Sequence, residues 1–145
     1  MKKTVIILIG IIYAASIMLV TFYGLVTEEA PTDSVPVKSI QITGDGIGVS
    51  EGEKNVVLEA LYTANTPLTY QISYVLEPDN TTHKTVIYEA DESFVTIDEN
   101  GLVTISGYNA PGEYNVVTVT VYATDDDGNK NTAIKDVLNI WYNAE

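Results

Sequence analysis

The stretch from Pro78 to Ile105, PDNTTHKTVIYEADESFVTIDENGLVTI, constrains the fold more than any other part of the chain. Its β-branched and aromatic residues come in runs too short for helices, and each run ends in a turn signal. The pattern predicts three strands, over residues 84–89, 94–98 and 102–105, joined by tight turns. Between the last two, Glu99-Asn100-Gly101 supplies the positive-φ positions that a two-residue hairpin demands.

The same alternation extends from residue 37 to residue 142. Leu68, Tyr70, Ile72, Tyr74 and Leu76 alternate with Thr69, Gln71 and Ser73, and Val117, Val119, Val121 and Ala123 alternate with Thr118, Thr120 and Tyr122. The last predicted strand, 133–142, has Leu138, Ile140 and Tyr142 on one face and Val137 and Trp141 on the other. That implies either a bulge or an edge in contact with something else. After residue 36 no amphipathic helix longer than a turn or two is legible. Turn signals recur at Gly44-Asp45-Gly46, Pro78-Asp79-Asn80, Asn100-Gly101, Pro111-Gly112 and Asp127-Gly128-Asn129. Many short strands with this punctuation read as an all-β sandwich. Burying about fifteen large apolar side chains at about 1.5–3 kcal/mol each suffices for independent folding.

Residues 4–26 follow a different rule: 23 consecutive uncharged residues, rich in Ile, Val and Leu. As a helix this run is about 34 Å long, against a hydrocarbon core of about 30 Å. Lys2 and Lys3 precede it, and Glu28, Glu29 and Asp33 follow, so the positive-inside bias puts the N-terminus in the cytoplasm and the remainder outside. A cleaved signal peptide would export the same domain. Its apolar region is usually only about 7–15 residues long, however, and no small-x-small cleavage site follows here. A retained single-pass anchor is therefore the favoured reading. The spacing Gly10-x-x-x-Ala14 permits close helix packing but also arises in ordinary lipid-facing helices. Residues 27–36, TEEAPTDSVP, read as a stiff extended linker reaching at most about 30 Å. The expected organisation is a cytoplasmic start and transmembrane helix over 1–26, a linker over 27–36 and a β-sandwich over 37–145.

Charge narrows the function. The chain has 7 Lys+Arg against 20 Asp+Glu, and beyond Lys2 and Lys3 the remaining five lysines face all twenty acids, a balance of −15. Nucleic-acid binding, which needs cations to displace phosphate counterions, is excluded. With no cysteine, neither a disulfide, a thiolate metal site nor a lipoprotein anchor is available.

The string from Pro78 to Ile105, together with Val37-Lys38-Ser39-Ile40-Gln41-Ile42-Thr43-Gly44, resembles the bacterial immunoglobulin-like domain, group 2, found in exported surface proteins. The match covers residues 37–44, 49–53 and 68–124, with a looser fit to the end. It implies an immunoglobulin-like antiparallel β-sandwich in a cell-surface setting, here preceded by the one N-terminal transmembrane helix read from residues 4–26. It assigns no catalytic or binding residues. Two departures stand out. Tyr88 occupies the place of the family's usual Trp, and roughly 14 extra residues, including Val56-Val57-Leu58-Glu59-Ala60-Leu61-Tyr62, intervene after Glu53. They read as an added strand. Gly112-Glu113-Tyr114-Asn115-Val116 resembles the Gly-x-Tyr-x-Cys of immunoglobulin strand F, with Tyr114 as a tyrosine corner. That corner would turn Val116 inward, against the alternation further along, unless a bulge intervenes.

Catalysis lacks an apparatus, and no catalytic residue is assigned: the one histidine, His83, lies in a polar turn beside Lys84. Calcium is the sharper candidate. In an immunoglobulin-type sandwich three loops cluster at one end, and here those loops hold Glu77 and Asp79, Asp98 and Glu99, and Asp125, Asp126 and Asp127. Asp79, Asp98, Asp125 and Asp127 are the candidate metal ligands, of the oxygen type that hard cations prefer. The alternative is a solvated acidic rim. The run Asp125-x-Asp127-x-Asn129 imitates an EF-hand start but has Lys130 where that loop needs Gly. Lys38 and Asn139 are candidates for an isopeptide crosslink of the kind found in some Gram-positive surface domains. Asn80-Thr81-Thr82 is a formal glycosylation sequon that reads as a turn former. Tyr62, Tyr108 and Tyr122 fall off the best core periods and are candidate protein or carbohydrate contacts.

The expected function is a membrane-anchored extracellular binding or structural module. It would meet the lipid bilayer through residues 4–26 and a protein partner at the cell surface, as an accessory or docking subunit of a larger assembly. A calcium-dependent adhesin or carbohydrate-binding surface protein is the alternative. An enzyme is not expected.

Overall fold

The computed structural model describes residues 33–145, so the predicted membrane helix at 4–26 and most of the predicted linker lie outside the described residues. Within them the chain is all-β. Ten strands follow in order: β1 (Ser39–Thr43), β2 (Gly48–Ser50), β3 (Glu53–Tyr62), β4 (Leu68–Gln71), β5 (Ser73–Glu77), β6 (Val86–Ala90), β7 (Val95–Ile97), β8 (Leu102–Ile105), β9 (Tyr114–Thr124) and β10 (Lys130–Ala144). They form a sheet ordered β2-β3-β10-β9-β6, a sheet ordered β4-β8-β7, and the pair β1-β5. Among the described residues no helix is long and apolar enough to cross a membrane.

The predicted strands within Pro78–Ile105 appear as β6, starting two residues later and ending one later, β7, shorter by one residue at each end, and β8, with the predicted bounds. The turn between β7 and β8 differs from the expected two-residue form. Asp98 and Leu102 close a three-residue loop in which Gly101 alone has positive φ, at 79°. The physical reason is the Asp98 carboxylate. It accepts the N–H groups of Asn100 at 2.9 Å and Leu102 at 2.8 Å, which rewards a right-handed turn followed by one left-handed glycine.

The long alternating run 68–77 changes partner midway. Leu68–Gln71 pairs with β8, whereas Ser73–Glu77 pairs with β1. Ile72, 1% exposed, sits at the switch, its N–H bonded to the carbonyl of Gly101. Inward residues before and after the switch therefore still serve one core.

β10 is central, not an edge. It runs antiparallel to β9 and parallel to β3, so the extra segment after Glu53 is a strand joined to the end of the chain. Both kinds of irregularity are present: a register shift against β9 between Lys130 and Lys135, and one against β3 after Tyr142, where Glu59 and Ala60 bulge out. A strand flanked on both sides can carry large residues on its second face without being an edge, which overturns that half of the expectation.

On β9 the alternation runs unbroken from Asn115. Val117, Val119, Val121 and Ala123 are fully buried, and Tyr114 is 64% exposed, so the predicted tyrosine corner is absent and no bulge at Val116 is needed. Asn115 holds the corner instead. Its Oδ1 accepts the N–H groups of Asn109 and Ala110, and its Nδ2 donates to the carbonyls of Ala110 and Glu113. An amide offers both donors and an acceptor, so one buried side chain satisfies a whole loop.

The buried faces of the sheets meet in one cluster, a sandwich-like arrangement that includes Ile72, Val103, Ile105, Leu138, Ile140 and Tyr142. Tyr62 belongs to it as well, contrary to the expectation that it lies off the core. Its hydroxyl reaches the carbonyl of Ser106 at 2.8 Å, and that of Tyr142 reaches Gly107 at 2.9 Å, so both rings are buried with their polar ends satisfied. Gly107 cannot be larger, because a Cβ there would meet the Phe94 side chain at 2.7 Å. The clasp on the incoming chain starts at Val35, whose N–H and carbonyl bond to Thr82, with a further bond from Thr81 to the carbonyl.

One ion pair within the five-stranded sheet also holds β1 against it. Lys54 of β3 meets Asp136 of β10, with side chains 16% and 21% exposed. The same two groups serve the open edge of β1: Asp136 accepts the N–H of Ile42, and Lys54 donates to its carbonyl. A strand bonded on one side only has its free backbone groups satisfied from the other sheet.

Candidate functional site

The acidic loops nominated from sequence are built by the same local rule. Asp125-Asp126-Asp127-Gly128-Asn129 repeats the geometry of Asp98-Glu99-Asn100-Gly101-Leu102. Asp125 Oδ1 accepts the N–H groups of Asp127 at 3.0 Å and Asn129 at 2.7 Å, and Gly128 has φ of 80°. The carboxylates of Asp98 and Asp125 therefore hold hairpin turns. Asp127 and Asp79 are exposed. Asp126 accepts a hydrogen bond from the Ser34 hydroxyl at 2.8 Å and lies 3.8 Å from His83 Nε2. Among the described residues, no group of three or more His, Cys, Asp or Glu side chains is placed to hold a metal ion.

The other nominated residues are also separate. Asn139 lies on the outer face of β10, where its amide donates to Glu53 and Asn55 and accepts from the Thr118 hydroxyl. Lys38 precedes β1 in another sheet. Tyr122 is half-buried, with Lys130 and Lys135 over its ring at 4.8 and 5.9 Å. Lys130 also bonds Glu89, which holds that carboxyl below the usual glutamate range.

The most distinctive surface is the outer face of the five-stranded sheet. Val57 of β3 is in register with Trp141 of β10, and Trp141 with Val116 of β9, so the three share one face. The next outward row holds Leu61, Asn143 and Tyr114 by the same pairing. Val57 is 56% exposed, Leu61 40%, Tyr114 64% and Trp141 36%. The indole is fixed in place: its Nε1–H donates to Asn55 Oδ1 at 3.0 Å, and Asn55 is bonded in turn to the backbone of Glu53. A large aromatic ring is thereby held in one orientation on an open sheet face before anything binds. The sequence signal for this surface is the apolar outward face of the last strand, but only the register of β3 against β10 brings Val57 beside it.

No family model matches the chain, and no curated protein matches it.

Proposed function

We propose that the chain is an exported bacterial immunoglobulin-like module of the group 2 type. It is anchored by residues 4–26, displays its sandwich outside the cell, and serves as an accessory or docking subunit of a surface or envelope assembly. The strand order supports the architecture. Taking β4 and β5 as one bent strand, β1-β5/β4-β8-β7 and β6-β9-β10 follow the A-B-E-D and C-F-G orders of an immunoglobulin constant-type sandwich, with β3 added beside the last strand. The uncharged run of residues 4–26, with lysines before it and acids after, supports the anchor and its orientation.

The observation that carries the docking role is the exposed Trp141, held by Asn55 and flanked by Val57. Aromatic anchors that lose little rotamer freedom on binding dominate protein interfaces, whereas a purely structural domain of this acidity gains nothing from exposing them. The test is mild-detergent extraction of the full chain followed by affinity purification and mass spectrometry. A second protein co-purifying in fixed ratio is expected; recovery of the chain alone refutes the accessory role.

A further inference from the structure

The ring of charge around the Trp141 patch specifies what covers it. Glu59 stands between Val57 and Leu61 on β3, and Glu113 directly precedes Tyr114. Glu53 flanks the Asn55–Asn139 side, and Glu145 follows the end of β10, its N–H bonded to Tyr62. All four carboxylates are exposed. Of the lysines, Lys135 shares this outer face; it stands beyond Asn139, where it and Glu53 line one recess. Lys130 and Lys135 cover Tyr122 at the far end of β10, Lys54 is paired with Asp136, and Lys38 and Lys84 lead into β1 and β6.

We propose that this patch docks a protein surface with an apolar centre ringed by lysine or arginine. This rests on the accessory-subunit reading and names its partner's chemistry. An apolar centre with a mainly acidic rim selects a partner of opposite sign, because the rim steers encounter and penalises like-charged alternatives. A second copy would set four carboxylates against the same four across a twofold axis. An anionic membrane surface would be repelled in the same way. A neutral glycan would gain nothing from the acidic rim.

The experiment replaces Val57 with photoreactive benzoylphenylalanine in the full chain, in the cells that produce it. A control chain carries the same group at Val75, which is 49% exposed on β5 in another sheet. The expected result is a Val57 adduct with a different protein, through a segment rich in Lys or Arg. Its yield falls about tenfold when Glu59→Lys and Glu113→Lys are added, since reversing two rim charges weakens encounter. Both substitutions are at exposed positions, and an unchanged thermal melt verifies the fold. An adduct with a second copy, with lipid or glycan, or with a protein segment lacking cationic residues overturns the proposal, and so does a yield that ignores the charge reversals. A Val75 adduct with Val57 silent sinks this inference and leaves the accessory reading standing. Silence at both positions sinks both.

Discussion

Replacing Lys54 by Met tests whether the Lys54–Asp136 pair holds β1 against the five-stranded sheet. The side chains are 16% and 21% exposed, so each is roughly four-fifths removed from water. Removing one member of a fully buried pair costs about 3–5 kcal/mol, because the other charge is stranded, whereas exposed pairs contribute about 0–1 kcal/mol. At this burial, including the lost donor to the Ile42 carbonyl, we expect Lys54→Met to cost about 2–3 kcal/mol. For a domain of this size that corresponds to a melting temperature lower by about 8–12 °C. Urea denaturation of residues 34–145, a compact unit with its own core, followed by Trp141 fluorescence, measures it directly. The double variant Lys54→Met/Asp136→Asn strands no charge and keeps an oxygen acceptor for the Ile42 N–H, so it should be more stable than the single Lys54→Met. Lys130→Ala, which removes an exposed pair with Glu89, is the surface control and should change little. A Lys54→Met cost below about 0.5 kcal/mol, or a double variant weaker than the single, would refute the reasoning.

Two further outcomes follow from the turns and the core. Asp98→Ala and Asp125→Ala each remove an acceptor for two backbone N–H groups and should cost about 1 kcal/mol apiece, additively, since they close different hairpins; equilibrium unfolding checks this, and no loss in either would deny the carboxylates a turn-holding role. Burial, with Glu92 as the next cause and Tyr62 and Asp91 after it, pushes the Tyr142 hydroxyl up to about 12, from 10.0. The folded state favours the neutral phenol, so this stabilisation is complete below pH 10 and is lost as pH rises from 10 towards 12. An ultraviolet titration of the eight tyrosines in the domain should therefore show late ionisation that loses one group in Tyr142→Phe, and a single transition at the ordinary tyrosine value would contradict it.

The strands were legible where burial repeats with period two, as at Val117 to Ala123, because alternation depends only on which face meets the core. Partnership was not legible. The parallel pairing of Val56 with Ile140 joins residues far apart in sequence, and no local pattern encodes it. The Tyr114 corner shows a local resemblance losing to a longer-range rule: counting back in twos from Val117 already puts Asn115 inward and Tyr114 outward. Trp141 was recognisable as an outward apolar residue on the last strand, yet its companions Val57 and Leu61 come from another part of the chain, through a register that only folding supplies.

The acids show why a count of charges says little about what the charges do. Asp98 and Asp125 recur in the frame Asp-x-Asn/Asp-Gly-x, and that repeat is itself a turn signature: a carboxylate at the first position captures two N–H groups that a right-handed turn would otherwise leave to solvent. Asp136 satisfies the edge of β1, and Asp126 meets Ser34 and His83. Glu59, Glu113 and Glu145 instead stand exposed around an apolar centre. The first group acts on the chain's own backbone and side chains and would be missed first in an unfolding experiment. The second contributes little to folding, so its reversal should register in binding while leaving the melt unchanged. That separation lets charge substitutions on one acidic domain report on stability and recognition independently.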